Sequence, residues 1–236
     1  MSVAGLSLAE LRTAYVGQSV PIARVVADRH VQSVAVGVGA VGVLGVSGGV
    51  GTTIVALAVA EALSASRLLE LAPPYASGLA GAATNELGDR DGWRVGVRGN
   101  LELARRLDAA AEPPHVDGHA VLDLGAWTGE TPQQVVDRVV VVAACSVPAI
   151  RRLDACLQAM NSVPLVIPVI TRAGRRLPRE LLGAAGPALR AAVAAGAMHV
   201  MPECPRLSLT GLTPDPLPRS LQQSAACLAL RLKETS

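Results

Sequence analysis

The stretch VAVGVGAVGVLGVSGGVGTTIVALAVAEAL, from Val34 to Leu63, limits what the chain can become more than any other part of it. From Val31 to Ala60 there is no charged residue, a length that could cross a bilayer as one helix. Its first half, however, interleaves glycine with valine. Neither residue favours a helix in water, and valine favours a strand. Basic anchors and an aromatic belt are also missing from its flanks. The segment therefore reads as buried strand, glycine-rich turn and apolar helix, and no membrane span is expected.

Three signatures overlap in it. Gly37, Gly39 and Gly42 spell G-x-G-x-x-G, but a strand-like run, VGVLGV, follows before any helix. Glu61, the acidic residue at the distance of a ribose ligand, falls inside the helix. Gly45, Ser47 and Gly49 spell G-x-S-x-G, the strand-to-helix elbow of a serine hydrolase. That arrangement needs several strands before the elbow and a late histidine in a loop. Only 46 residues precede Ser47, and His199 lies in an apolar strand-like run, so a hydrolase using Ser47 stands as the outside alternative. The third signature is SGGVGTT, Ser47 to Thr53. A glycine-rich turn between a buried strand and a helix points successive backbone N–H groups and the helix N-terminus at one small volume, which suits phosphate oxygens. Gly48, Gly49, Val50, Gly51, Thr52 and Thr53 are the candidate binding residues, with the Thr53 hydroxyl placed for a magnesium ion.

Composition narrows the chemistry. Of the 21 basic residues only Lys233 is a lysine, so no earlier lysine can serve a mechanism. The net charge of +2 points to no obligatory nucleic-acid partner. With 50% hydrophobic residues and no phenylalanine, the core must be built from small and β-branched side chains, as in closely packed parallel sheets. Cys145, Cys156, Cys204 and Cys227 are widely spaced, which fits a reduced cytoplasmic thiol set, and the four histidines form no ligand cluster. The N-terminus lacks the apolar core of a signal peptide.

From Val31 onward apolar runs alternate with helical patterns, the mark of β-α-β units. Strands are expected in VQSVAVGV, VGVLGV, RLLEL, HAVLDL, RVVVVAA, PLVIPVIT and AMHVMP. Helices are expected in TIVALAVAEALSAS, LELARRLDAAA, PAIRRLDACLQAM, PRELLGAAGPALRAAVAAG and PRSLQQSAACLALRLKE. Residues 1–30 read as an N-terminal extension with one short helix, and Ala72–Gly99 as a long loop with little regular structure, of the kind that is functional or mobile.

VSGGVGTTI, Val46 to Ile54, resembles the loop of ParA/MinD-type P-loop ATPases, approximately G-K-G-G-x-G-K-T-T, with Ser47 and Thr52 where that group has lysines and Val46 at its first glycine. RLLELAPPYASGL resembles the group's second-strand motif, with Glu70 and Ala72 at its aspartates. HAVLDLGAW resembles a Walker B strand ending at Asp123, VIPVITR the strand that ends beside the adenine with Thr171 and Arg172, and MPECPRLSLTGLTPDPLP, with Pro202, the late loop that closes over the base. The GGVGTT core is also similar to the atypical loops of TadZ/CpaE-type pilus-associated relatives.

The resemblance implies an α/β fold over residues 31–236, a single three-layer domain with a mostly parallel sheet. It implies ATP or ADP with magnesium at Thr53 and Asp123, Asp123 as the residue carrying any activity, and a homodimer that positions a partner or cargo. Loss of both lysines implies a degenerate member without efficient hydrolysis, because charge aimed at the transition state is removed. It leaves open a scaffold without a cofactor and a slow ATP-binding switch. Arg94 and Arg98 could reach an anion or a partner; Arg172, Arg175, Arg176 and Arg179 form the densest basic cluster, a nucleic-acid contact without supporting aromatics.

Overall fold

β1 (Val41–Gly45) is buried at all five residues, the behaviour of a central strand in a sheet covered on both faces. The computed structural model describes residues 39–108, 110–114, 119–129, 136–174 and 177–234. The N-terminal extension, the strand expected in VQSVAVGV, and Arg175 and Arg176 lie outside them.

After β1 the chain turns through the glycine loop into α1 (Thr52–Leu63), whose middle, Val55 to Ala60, is buried. Then follow β2 (Arg67–Glu70), a 3₁₀ turn (Pro74–Ala76), β3 (Asn85–Arg90), β4 (Trp93–Arg98), β5 (Leu101–Arg106), β6 (Ala120–Ala126) and β7 (Arg138–Ala144). α2 (Val147–Ala159) leads to β8 (Leu165–Ala173). α3 (Arg179–Gly183), α4 (Pro187–Ala194), β9 (His199–Pro202), α5 (Pro205–Thr210) and α6 (Arg219–Lys233) complete the chain. The nine strands form one sheet in the order β3-β4-β5-β2-β6-β1-β7-β8-β9. Only the β3–β4 and β4–β5 pairings are antiparallel.

The connection β1-α1-β2 runs toward one sheet edge and β7-α2-β8 toward the other. Right-handed crossovers in opposite directions put α1 and α2 on opposite faces of the sheet, giving three layers. α6 packs on α1, and α4 on α2. Val139 to Ala143, fully buried, form the floor of the core. The buried Asp154 on α2 joins the helices of its face: its carboxylate accepts the Leu189 N–H at 2.8 Å, at the start of α4.

Two expectations fail at one edge of the sheet. Ala72–Gly99 is not a structureless loop but contains the β3–β4 hairpin, whose turn residues Asp91 and Gly92 have φ of 50° and 80°. LELARR, expected to be helical, is β5, paired with β2 on one side and β4 on the other. Pairing on both sides outweighs the mild helix preference of Leu, Glu and Arg. The late loop also contains a short helix, α5.

Candidate functional site

The sheet order reverses around β1, and in open α/β sheets ligands bind outside the carboxyl ends of the strands at such a point. There a cleft of about 400 Å³ is lined by the whole loop from Ser47 to Thr53, by Ala76 and Gly78, by Gly125, by Thr171 and Arg172, and by Met201, Pro202, Leu207 and Leu212. The cofactor-binding residues expected from the sequence are thus gathered on one cavity: Gly48, Gly49, Val50, Gly51, Thr52, Thr53, Arg172 and Pro202.

Gly49 and Gly51 take φ of 73° and 93°, the left-handed conformation that lets the loop reverse direction before α1 without side-chain strain. Two consecutive residues of β8 hold two consecutive carbonyls of the loop. The Thr171 hydroxyl donates to Val50 O at 2.6 Å, and the Arg172 guanidinium donates through Nη2 to Gly49 O at 2.7 Å. At the position of the general P-loop lysine, the Thr52 hydroxyl lies over the end of β1, where a Cβ on Gly45 would overlap it.

Asp123 on β6 and Glu70 on β2 are register partners on adjacent parallel strands, and both are wholly buried. Glu70 accepts the Ser77 hydroxyl at 2.5 Å and the Gly78 N–H at 2.6 Å, so it ties down the segment that walls the cleft beside Thr53. Burial raises the Glu70 pKa, and the bonds from Ser77, Gly78 and Leu79 and the nearby Arg105 oppose the rise. For Asp123 burial is again the first cause, pushing the pKa up to about 6. The Thr53 hydroxyl and the Gly125 N–H counteract it, and the charge of Glu70 adds to it. Asp123 Oδ1 accepts the Gly125 N–H at 2.9 Å, whereas Oδ2 is buried with no hydrogen-bond partner among the described residues. The Thr53 hydroxyl therefore acts on the carboxyl as a polar neighbour outside strict hydrogen-bond geometry. A buried carboxylate oxygen left without a donor, beside a hydroxyl at the start of a helix that follows a glycine-rich turn, fits a hydrated divalent cation. Thr53 and Asp123 are the residues that would hold it.

Other candidates are engaged elsewhere. Arg98 is a buried clamp rather than an anion receptor. Its Nε pairs with Glu61 at 2.6 Å, Nη1 donates to Ala82 O at 2.9 Å and Thr213 O at 2.7 Å, and Nη2 donates to Asp215 O at 2.5 Å. Arg94 pairs with Asp89 at 2.7 Å, and Arg105 with Glu86 at 3.1 Å. Glu61, read at the distance of a ribose ligand, is thereby the partner of Arg98. Ser47 lines the cleft, but among the described residues no histidine is hydrogen-bonded to it. His199 is instead hydrogen-bonded to the Ser224 hydroxyl at 2.9 Å. The role of Glu70 and the clamp at Arg98 had no local sequence signal, since each partner lies on a separate segment. The hairpin had one, the Asp91-Gly92 pair. No helix among the described residues is long and apolar enough to cross a membrane, and the four cysteines are free.

No family model and no curated protein matches the chain. Solved structures do. A ParA family ATPase from Chlorobium tepidum TLS aligns at 14% identity and a TM-score of 0.53, over 82% of this chain and 98% of that one. A putative plasmid partition protein from Borrelia burgdorferi B31, bound to AMPPNP, aligns at 14% identity and 0.53, over 84% and 99%. A chain of the MinC:MinD cell division protein complex from Aquifex aeolicus aligns at 17% identity and 0.51, over 84% and 96%. At these identities the likeness is one of fold, and it spans nearly the full length of each matched chain. By overall alignment to these structures, the described chain has the ParA/MinD-type P-loop fold.

Proposed function

We propose that this chain is a degenerate ParA/MinD-like regulator that binds ATP or ADP with magnesium, lacks efficient hydrolysis, and acts through dimerisation or a protein partner in positioning a cargo or machinery. The observation that carries this reading is a glycine loop with left-handed Gly49 and Gly51 and no lysine, opening a helix whose Thr53 neighbours the buried Asp123 carboxyl, one oxygen of which has no partner among the described residues. The backbone N–H groups of Gly48 to Thr53 and the positive end of α1 hold the phosphates. Thr53 and Asp123 hold the cation, and Pro202, with Met201 and Leu212, forms an apolar wall for the base. A magnesium ion held there would supply charge neutralisation to the phosphates. Without a lysine aimed at the transferring phosphoryl group, transition-state stabilisation is lost, typically orders of magnitude in rate. The dimer and the partner rest on the fold likeness, including the matched MinC:MinD complex. A slow ATP-hydrolysing switch is the second reading, favoured by the Arg172 cation at the mouth of the loop.

Calorimetry with ATP and magnesium, paired with a phosphate-release assay, tests both. The expected result is saturable binding that Thr53→Ala and Asp123→Ala abolish, with phosphate release at background. Release that is slow but above background, and lost in Asp123→Ala, supports the switch. Absence of binding at roughly millimolar ATP, a free energy near −4 kcal/mol, overturns both in favour of a nucleotide-free scaffold.

A further inference from the structure

Arg172 is the only charged side chain that lines the cleft among the described residues, and its backbone is unusual. It takes φ of 56°, left-handed for a residue that is not glycine, and the β8–β9 register is irregular between Ile170 and Ala173. Non-glycine residues hold such a conformation at a cost, which the surrounding structure must offset, and they gather at ligand sites. The irregularity carries the side chain onto the loop, where it bonds Gly49 O at 2.7 Å. A guanidinium has five N–H donors in a rigid fork, so anchoring one on a carbonyl leaves others for an oxyanion.

We propose that Arg172 is the counter-cation of the phosphate loop, taking the charge role of the lysine missing at Thr52. Anchored on Gly49, it presents its free donors to the phosphate chain of a bound nucleoside di- or triphosphate. This rests on the nucleotide-binding reading above and gives Arg172 the phosphates rather than the base. The loop turn offers only the partial charges of its N–H groups, while a pyrophosphate unit carries several full negative charges. A fixed guanidinium makes short charge-assisted bonds to such oxygens.

The test titrates ADP, inorganic pyrophosphate and adenosine separately into the wild type, Arg172→Ala, Arg172→Lys and the double variant Arg172→Ala/Thr52→Lys, at low and high salt, with thermal melts to verify folding. Arg172→Ala is expected to weaken ADP and pyrophosphate by about 10- to 100-fold, to flatten the salt dependence of both, and to leave adenosine unchanged. Arg172→Lys retains part of the affinity. The double variant regains ADP affinity and salt dependence, because the charge returns from the loop itself. If Arg172→Ala weakens adenosine and ADP by one common factor and spares pyrophosphate, Arg172 is a base-side residue and the proposal is overturned. If salt dependence persists in Arg172→Ala and Thr52→Lys restores nothing, Arg172 only braces the loop through Gly49, and the proposal is again overturned. Failure of the unmutated protein to take up either ADP or pyrophosphate is a separate outcome, which removes the nucleotide reading and this one with it.

Discussion

Glu70 and Asp123 stand side by side as register partners on β2 and β6, two fully buried carboxyl groups at the carboxyl edge of the sheet, with no basic residue hydrogen-bonded to either among the described residues. Two buried carboxyl groups so placed are costly by themselves and suited to a cation, which would relieve the repulsion and satisfy Asp123 Oδ2.

Asp123→Asn is therefore expected to stabilise the ligand-free protein while abolishing magnesium-dependent binding. The Asp123 pKa is about 6 in the folded protein against 3.8 without the fold. The folded state then holds the proton more tightly than the unfolded one. The destabilisation is absent below the lower value, grows between the two, and is complete above the higher. One pKa unit corresponds to about 1.4 kcal/mol, so the gain from the substitution should reach about 3 kcal/mol at pH 8 and vanish near pH 3. Denaturant melts at both pH values check this; a gain independent of pH would show that ionisation of Asp123 is not its cause.

Gly78→Ala should weaken nucleotide binding only when magnesium is present. A Cβ at Gly78 would stand 2.8 Å from the Thr53 hydroxyl oxygen, displacing the group expected to touch the cation. Calorimetry with ADP, with and without magnesium, reads the difference. An equal loss in both conditions would place the damage in the loop as a whole.

Arg98→Ala should be among the most destabilising single substitutions, at about 3–5 kcal/mol. It leaves the Glu61 carboxylate and the carbonyls of Ala82, Thr213 and Asp215 without their donor. Because Thr213 and Asp215 follow the cleft residues Gly211 and Leu212, hydrogen exchange in that segment should rise as well. Urea melts and exchange measurements check both, and a cost below about 1 kcal/mol would show the clamp to be only superficial.

His199 supplies a pH dependence of the opposite sense. Burial, with the nearby Arg231 adding to it, lowers its pKa from 6.5, and the Ser224 contact opposes the shift. The neutral ring is thus the form the fold accepts. Its contribution is present above pH 6.5 and is lost as the pH falls through the lowered folded value. Relative to His199→Gln, the wild type should lose melting temperature between pH 7.5 and pH 5. Parallel curves for the two proteins would refute the assignment.

The central strands were legible because each is a run of valine, leucine and isoleucine bounded by turn residues. β1, β2, β7 and β9 fall within the stretches read as strands, and β6 and β8 each run two residues past theirs. The edge was misread for two reasons. β3 is largely exposed and polar, so it has no apolar alternation to reveal it. LELARR has helix-forming composition and becomes a strand only because β2 and β4 flank it. The hairpin signal, Asp91-Gly92, was present but sat in a segment whose composition reads as loop.

The sequence by itself determined the strand-loop-helix unit around Ser47–Thr53, the absence of a lysine from it, and the parallel sheet, because these follow from local pattern and residue chemistry. Tertiary structure alone decided which distant groups meet there. Arg172 reaches Gly49 across 123 residues of chain, Asp123 stands beside Glu70, and Arg98 is consumed in a clamp to Thr213 and Asp215. Such contacts depend on strand order and register, which are settled by burial of the whole core and leave no trace in any short window of sequence.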